Sequence, residues 1–191
     1  MRKLFVILIL SAGLLMFTFT QVWAASGWTG NVNFTLGAKA LDEDDWEPVD
    51  EHVALGINVD FRKMEWPVNL AIALIGSADD DDYRGMDIEG TTSEFRFGIK
   101  KIWEPTQTMR PFIGGGLALI RAELEGEYLG YKVSDDDTCF GFWIDGGIYW
   151  TINRSFNLGF ELGYSKGEVT LFDVDGEAGG GHAVIIIGYH W

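Results

Sequence analysis

Several residue types are scarce in this sequence, and each shortage excludes a class of protein. The 191 residues include one cysteine, four prolines and 14 Lys or Arg against 29 Asp or Glu, for a formal charge of −15. A single cysteine excludes an intramolecular disulfide framework and a cysteine-rich zinc site. The acidic excess disfavours a nucleic-acid partner, because a phosphate backbone repels such a chain. After residue 24 no apolar run approaches 18 residues, so no transmembrane helix is predicted there.

The first 24 residues have the pattern of an export signal. Arg2 and Lys3 precede an apolar run over residues 4–19, and Val22 and Ala24 occupy the −3 and −1 positions of a small-residue cleavage site. This pattern predicts a cleaved secretory signal peptide over residues 1–24 and a single mature domain over residues 25–191. An uncleaved membrane anchor is the alternative.

Beyond residue 27 the dominant sequence period is two, which is typical of β-strands. In residues 156–164, for example, large apolar side chains alternate with Asn, Gly, Glu and Gly. The same alternation predicts eight strands, each long enough to cross a bilayer as a tilted strand. Their approximate bounds are residues 28–40, 51–63, 68–78, 92–103, 110–121, 138–152, 155–166 and 181–191.

Two features favour a membrane barrel over a soluble sandwich, which period two alone would also fit. The predicted connections alternate strictly between about 10–16 residues and short turns. Six aromatic residues fall near the short-turn ends of their strands, as an interfacial girdle requires: Trp28, Trp66, Trp103, Trp150, Tyr189 and Trp191. Since backbone polar groups need partners in lipid, the sheet must close. The predicted fold is all-β, an eight-stranded antiparallel up-and-down transmembrane β-barrel.

The last predicted strand carries alternate apolar residues up to an aromatic end, Ile185, Ile187, Tyr189 and Trp191. This pattern resembles the C-terminal signal by which the barrel-insertion machinery recognises outer-membrane proteins, with Trp where Phe is usual. The Gly-rich stretch over residues 110–117 is similar to strands of such barrels. Residues 27–191 therefore resemble the small eight-stranded outer-membrane barrel family, OmpA/OmpX-like. The resemblance implies the outer membrane of a Gram-negative-type bacterium, with lipid and lipopolysaccharide as partners.

The opposite strand parity places charged residues inside the predicted barrel, where acids and bases balance. The predicted lumen ion network consists of Lys39, Asp60, Arg62, Glu94, Arg96, Lys100, Asp145 and Glu161. Eight strands leave a bore that side chains can fill, and buried charges are tolerated when they are paired. We expect a structural plug, and the alternative is a narrow ion pore.

The four long connections contain 23 of the 29 carboxylates, in residues 41–51, 79–89, 122–137 and 167–181. We expect a solvated, repulsive acidic cap. The alternative is binding of divalent cations, which prefer carboxylate ligands, at residues 79–82 and 135–137, bridging to lipopolysaccharide phosphates. No segment has EF-hand spacing.

No catalytic residue, cofactor or metal site is predicted. His52 and His182 fall on the inward parity near the long connections, but neither has the His-x-Ser-Asn context expected of lipid A deacylases. Ser134 or Ser165 with Glu161 has no defined catalytic partner. The alternatives are a lipid A acyl hydrolase or transferase, and a transition-metal site at the two histidines. The predicted role is structural or surface-interactive.

Overall fold

The computed structural model describes residues 27–191 except 84 and 129, and the backbone but not the side chain of Tyr128. The predicted signal peptide lies outside the described residues. Within them, no helix is long and apolar enough to span a membrane.

Eight long strands form a closed antiparallel ring in which each pairs with its sequence neighbours and the last closes on the first. They are β1 (Trp28–Ala40), β2 (Glu51–Lys63), β3 (Asn69–Tyr83), β4 (Met86–Ile102), β5 (Met109–Tyr128), β6 (Tyr131–Ile152), β7 (Phe156–Lys166) and β10 (Gly180–His190). A short helix, α1 (Glu43–Trp46), lies between β1 and β2, and a small hairpin of β8 (Glu168–Leu171) and β9 (Val174–Glu177) lies between β7 and β10. The predicted fold class is therefore confirmed, with closure through pairs such as Leu36 with Ile185.

The two ends of the barrel differ in how their strands are joined. At one end, called here the short-turn end, residues 64–68, 103–108 and 153–155 connect the strands. At the other, called here the hairpin end, the connections are residues 41–50, 84–85, 129–130 and 167–179.

The prediction of long loops at residues 79–89 and 122–137 was wrong, because β3 to β6 continue through them. Asp79 pairs with Gly90 and Ala122 with Asp137, and the ladders run on to Tyr83 with Met86 and Tyr128 with Tyr131. Gly85 and Gly130 take φ values of 82° and 81° in the tight turns, a region that glycine enters without steric cost. Aspartate is depleted in strands, so the acidic runs conceal this extension.

The outer wall carries an apolar belt that is exposed on the ring of strands. Phe97 is 50% exposed, Leu117 67% and Ile185 52%, all on the outward parity. An aromatic cluster follows at the short-turn end, where the ring centroid of Trp28 lies 5.5 Å from that of Trp66. Trp191 packs over Gly30, where a Cβ would come within 2.7 Å of its ring. The belt and the aromatic cluster match the surface that a bilayer covers.

Candidate functional site

Buried charged side chains inside the barrel form two clusters, and the first is built around Glu94. Its carboxylate accepts hydrogen bonds from Lys39 Nζ at 2.8 Å, Arg96 Nε at 2.7 Å and Ser165 Oγ at 2.8 Å. Lys39 also donates to Thr92 Oγ1 at 2.9 Å. All five residues are at most 2% exposed. They come from β1, β4 and β7, whose inward parity brings them together across the lumen.

The second cluster is built around Lys100, whose ammonium lies 3.1 Å from Asp145 and 3.3 Å from Glu161. The same ammonium sits 4.3 Å from the ring centroid of Phe112. His182 Nε2 lies 3.3 Å from the second oxygen of Glu161. A cation held between two carboxylates compensates for the loss of water around all three charges.

Asp60 is buried without an ionic partner among the described residues and is held by amides instead. Asn31 donates to it at 2.8 Å and Asn69 at 2.5 Å. Asn157 donates to Asn31 at 2.9 Å, and His190 Nδ1 lies 3.0 Å from the same amide oxygen. An amide network therefore occupies the lumen near the short-turn end.

Arg62 is the member of the predicted network that lies at the short-turn mouth of the lumen, in a cavity that it shares with Asn31 and His190. Its guanidinium donates to the carbonyl of Trp66 at 2.9 Å and lies 3.8 Å from Glu104, at the exposed rim of the short-turn end. The parity of Arg62 is inward, and because β2 ends one residue later, its long side chain reaches the edge of the lumen.

Between the clusters lies a cavity of about 10 Å³, lined by Asn58, Asp60, Arg96, Lys100, Trp143, Asp145, Glu161 and neighbouring backbone. This volume holds about one water molecule. The described side chains thus fill the bore almost completely at mid-height.

The connections at the hairpin end fold over the mouth of the barrel and form a cap, defined here as residues 41–50 and 167–179. Trp46, Val49, Val169 and Ala178 are at most 5% exposed and join the same apolar cluster as Ile120 and Trp143. Indole Nε1 of Trp46 donates to the carbonyl of Glu177 at 2.8 Å. Lys39 Nζ reaches up from the lumen to the carbonyl of Ala178 at 3.3 Å.

Three acidic side chains expected to be solvated hold the cap in place instead. Asp45 accepts a hydrogen bond from the backbone N–H of Glu177 at 2.8 Å, Asp137 from Thr170 at 2.9 Å and Asp135 from Phe172 at 2.6 Å. The two backbone N–H donors at Thr170 and Thr138 hold the pKa of Asp137 below its ordinary value. Charge density alone did not indicate these contacts, because they depend on how the connections fold.

Beyond the cap, the extended strands β3 to β6 carry a groove of about 350 Å³ lined by Asp80, Asp81, Asp82, Asp87, Ile88, Glu89, Glu125, Glu127 and Lys132. Lys132 pairs with Glu125 and, at 3.3 Å, with Glu127. A hydrogen bond and the charge of Asp82 raise the pKa of Asp87. No group of three or more His, Cys, Asp or Glu in the described part of the chain is arranged to hold a metal ion.

The candidate catalytic residues of the sequence fall into separate hydrogen-bond networks. His52 Nδ1 lies 3.0 Å from Ser77 Oγ, and His52 Nε2 lies 3.0 Å from the carbonyl of Val49. His182 contacts Glu161, and Ser165 contacts Glu94. Ser77 and Thr92 are interior contacts that the sequence reasoning missed, although both are small polar residues on the inward parity.

No family model matches the chain, and no curated protein matches it. Solved structures of small barrels do match. Neisserial surface protein A superposes with a TM-score of 0.59 at 10% identity, covering 85% of this chain and 96% of that one. Ail, the attachment invasion locus protein of Yersinia pestis, in complex with the heparin analogue sucrose octasulfate, superposes with a TM-score of 0.58 at 11% identity, covering 86% and 99%.

The fold is that of the small outer-membrane barrels. A second structure of Ail gives a TM-score of 0.55 at 11% identity. At these identities the likeness concerns architecture alone, because one fold hosts many functions.

Proposed function

We propose that this chain is an outer-membrane barrel exported by its N-terminal signal, with the short-turn end in the periplasm and the hairpin end outside. The exposed apolar belt and the aromatic cluster support this placement, because lipid is the solvent that such a surface requires. Bacterial barrels usually place short turns in the periplasm and the longer segments outside, and here the longer segments are residues 41–50 and 167–179 and the extensions of β3 to β6, all at the hairpin end. The last strand, with Ile185 and Ile187 outward, is the segment that we propose the insertion machinery reads.

The barrel is a closed structural body rather than a pore. The observation that carries this proposal is the paired interior: Glu94 and Lys100 each bind two charged partners, above and below a cavity of about one water molecule. The cap covers the mouth above them. Among the described residues, these pairs would have to separate before a hydrated ion could pass through the interior.

The hairpin end supplies the surface-interaction role. It carries 23 of the 29 carboxylates, and its groove between β3 and β6 is lined by acidic side chains. Such a surface attracts cations and cationic partners and repels polyanions. Ca²⁺ or Mg²⁺ bridging to lipopolysaccharide phosphates fits this charge, whereas a sulfated ligand like the one bound to Ail does not.

Planar-bilayer recording of the refolded signal-free chain tests the closed interior. We expect no discrete conductance steps for the wild type. Conductance steps in the wild type whose size changes in Lys39→Gln, which lacks one interior charge, would indicate a narrow pore instead of a closed body. A heat-modifiable band on gels verifies that the protein in the bilayer is a folded barrel.

Binding measurements test the acidic surface. We expect a polycation and millimolar Ca²⁺ to protect the hairpin end from protease and a heparin oligosaccharide to leave it unaffected. A variant with Asp80, Asp81 and Asp82 changed to Asn should lose most of that protection. Equal protection in this variant would assign any binding to another surface.

The proposed role is not enzymatic. The contact between Ser77 and His52 is the arrangement closest to a hydrolase, but the two residues are 4% and 1% exposed beneath the cap. A lipid substrate could not reach that hydroxyl without displacing Val49 and Trp46. Covalent labelling of Ser77 by a fluorophosphonate would support a lipid A acyl hydrolase instead.

A further inference from the structure

The short-turn end carries the opposite charge to the rest of the chain. Its basic residues outnumber its acidic residues by five to two: Arg62, Lys63, Lys101, Arg110 and Arg154 against Glu65 and Glu104. Two of these basic residues are engaged at the mouth of the lumen. Arg62 lies 3.8 Å from Glu104, and Arg110 donates to His190 at 2.7 Å. The other three lie on the outward parity or in a turn.

Two of these outward cations flank the turn between β2 and β3. Lys63 ends β2 and is exposed, with its ammonium 5.6 Å from the ring centroid of Trp28. Lys101 lies on β4, and its ammonium donates to the carbonyl of Pro67 in the same turn at 2.7 Å. Neither ammonium has an acidic partner within salt-bridge distance among the described residues.

The aromatic side chains near these two lysines indicate how deep the ammonium groups would lie in a bilayer. Trp28 packs on Trp66 at 5.5 Å and on Phe61 at 5.8 Å, Lys63 lies over the Trp28 ring, and Lys101 reaches the backbone carbonyl of Pro67, the residue that follows Trp66. Trp side chains prefer the level of the lipid headgroups, and Lys side chains extend along apolar surface to place the ammonium there. In a bilayer that covers the apolar belt, these preferences bring both ammonium groups to the level of the lipid phosphates.

We propose that Lys63 and Lys101, with the aromatic rim of Trp28 and Trp66, form a docking surface for the headgroups of anionic phospholipids in the leaflet at the short-turn end. Basic residues at a membrane surface attract anionic lipid. The acidic hairpin end repels the same headgroups, so anionic phospholipid is enriched around the short-turn end and not around the hairpin end. This inference rests on the proposed placement of the barrel in a membrane.

Quenching of tryptophan fluorescence by brominated lipid tests the surface. The signal-free chain is folded into phosphatidylcholine vesicles containing an equal minor fraction of either brominated phosphatidylglycerol or brominated phosphatidylcholine. For the wild type we expect quenching by the anionic lipid to exceed that by the zwitterionic lipid, and the local enrichment to be about threefold or more. Enrichment should fall to near one in K63Q/K101Q and persist in K63R/K101R.

The matched control is K132Q/K166Q, which removes the same charge from the hairpin end and should keep the enrichment. Equal quenching by both lipids in the wild type, or an equal loss in the control, overturns the proposal. Competition by millimolar inorganic phosphate would assign the surface to a free anion and also overturn it. A heat-modifiable band reports insertion separately, so failure of the barrel in the membrane is distinguishable from failure of the lipid surface.

Discussion

The lumen and the hairpin end of this barrel hold acidic side chains in opposite ways. Inside, Asp60, Glu94, Asp145 and Glu161 share the space with Lys39, Arg96 and Lys100, and every carboxylate has a hydrogen-bonding partner. At the hairpin end residues 41–51, 79–89, 122–137 and 167–181 hold 23 carboxylates against only two Lys or Arg in the sequence. The interior cannot rely on water to solvate charge, whereas the hairpin end can.

The number of charges in a region therefore says little about their structural importance. A buried charge that loses its partner is strongly destabilising, while an exposed one is solvated and screened. Three acids of the hairpin end, Asp45, Asp135 and Asp137, depart from the pattern because they bind backbone N–H groups of the cap.

Glu94→Gln should produce the largest effect. The substitution removes the charge that compensates both Lys39 and Arg96, so we expect the free energy of unfolding to fall by about 3–5 kcal/mol. Urea unfolding in vesicles, followed by tryptophan fluorescence, measures it. Glu89→Gln, on the exposed part of the same strand, should stay within about 0.5 kcal/mol of the wild type. Equal effects of the two substitutions would contradict the contrast.

Trp46→Ala should open the cap without opening the barrel. The indole is 5% exposed and donates to the carbonyl of Glu177, and truncation of a buried Trp costs about 3–5 kcal/mol. We expect residues 41–50 and 167–179 to become sensitive to protease while the heat-modifiable band is retained. Phe172→Ala, at a 46% exposed position of the same cap, is the control and should remain resistant.

Strand periodicity predicted the ring of strands well, because a membrane barrel imposes a strict alternation on every strand. The bounds of β1 and β2 agree with the prediction to the residue, and seven of the eight charges placed inside are buried there. Arg62, on the same parity, lies at the short-turn mouth of the lumen, 3.8 Å from Glu104, because a long side chain at the end of a strand can reach beyond it.

The hairpin end was the part that the sequence could not predict. Asp runs obscured the extension of β3 and β4 to Tyr83 and Met86, where turn geometry and cross-strand pairing outweigh low strand propensity. The cap depends on contacts between segments more than 100 residues apart, such as Trp46 with Glu177. No local pattern encodes a contact of that kind.

Lowering the pH should loosen the cap before it affects the barrel. Hydrogen bonds from Thr170 and Thr138 hold the pKa of Asp137 below its ordinary value, and those from Tyr164 and Lys166 do the same for Glu177. A carboxyl whose pKa is lower in the folded state stabilises the fold at pH values above its unfolded-state pKa, which is about 4 for these groups. That stability is lost as the pH falls below this value and through the folded-state pKa. The protection of the Thr170 amide against hydrogen exchange should therefore decrease below about pH 4.

Asp137→Asn provides the control for this pH dependence. Its side chain retains an oxygen that can accept from the Thr170 amide but has no proton to gain. Protection of that amide should be weaker than in the wild type at neutral pH and should change little between about pH 5 and pH 3. A variant that keeps the full wild-type pH response would show that another group controls the cap.

The smallest change in stability is expected for an ion pair that has a geometry similar to the interior pairs but is exposed to water. Arg121 and Asp136 are 3.2 Å apart, with side chains 53% and 49% exposed, whereas Arg96 and Glu94 are 2.7 Å apart and almost fully buried. Arg121→Gln should change the free energy of unfolding by less than about 1 kcal/mol, and high salt should remove even that difference because it screens exposed charges. Arg96→Gln in parallel should cost about 3 kcal/mol or more and respond little to salt. Since both substitutions delete a guanidinium bonded to one carboxylate, the difference between them isolates burial as the cause.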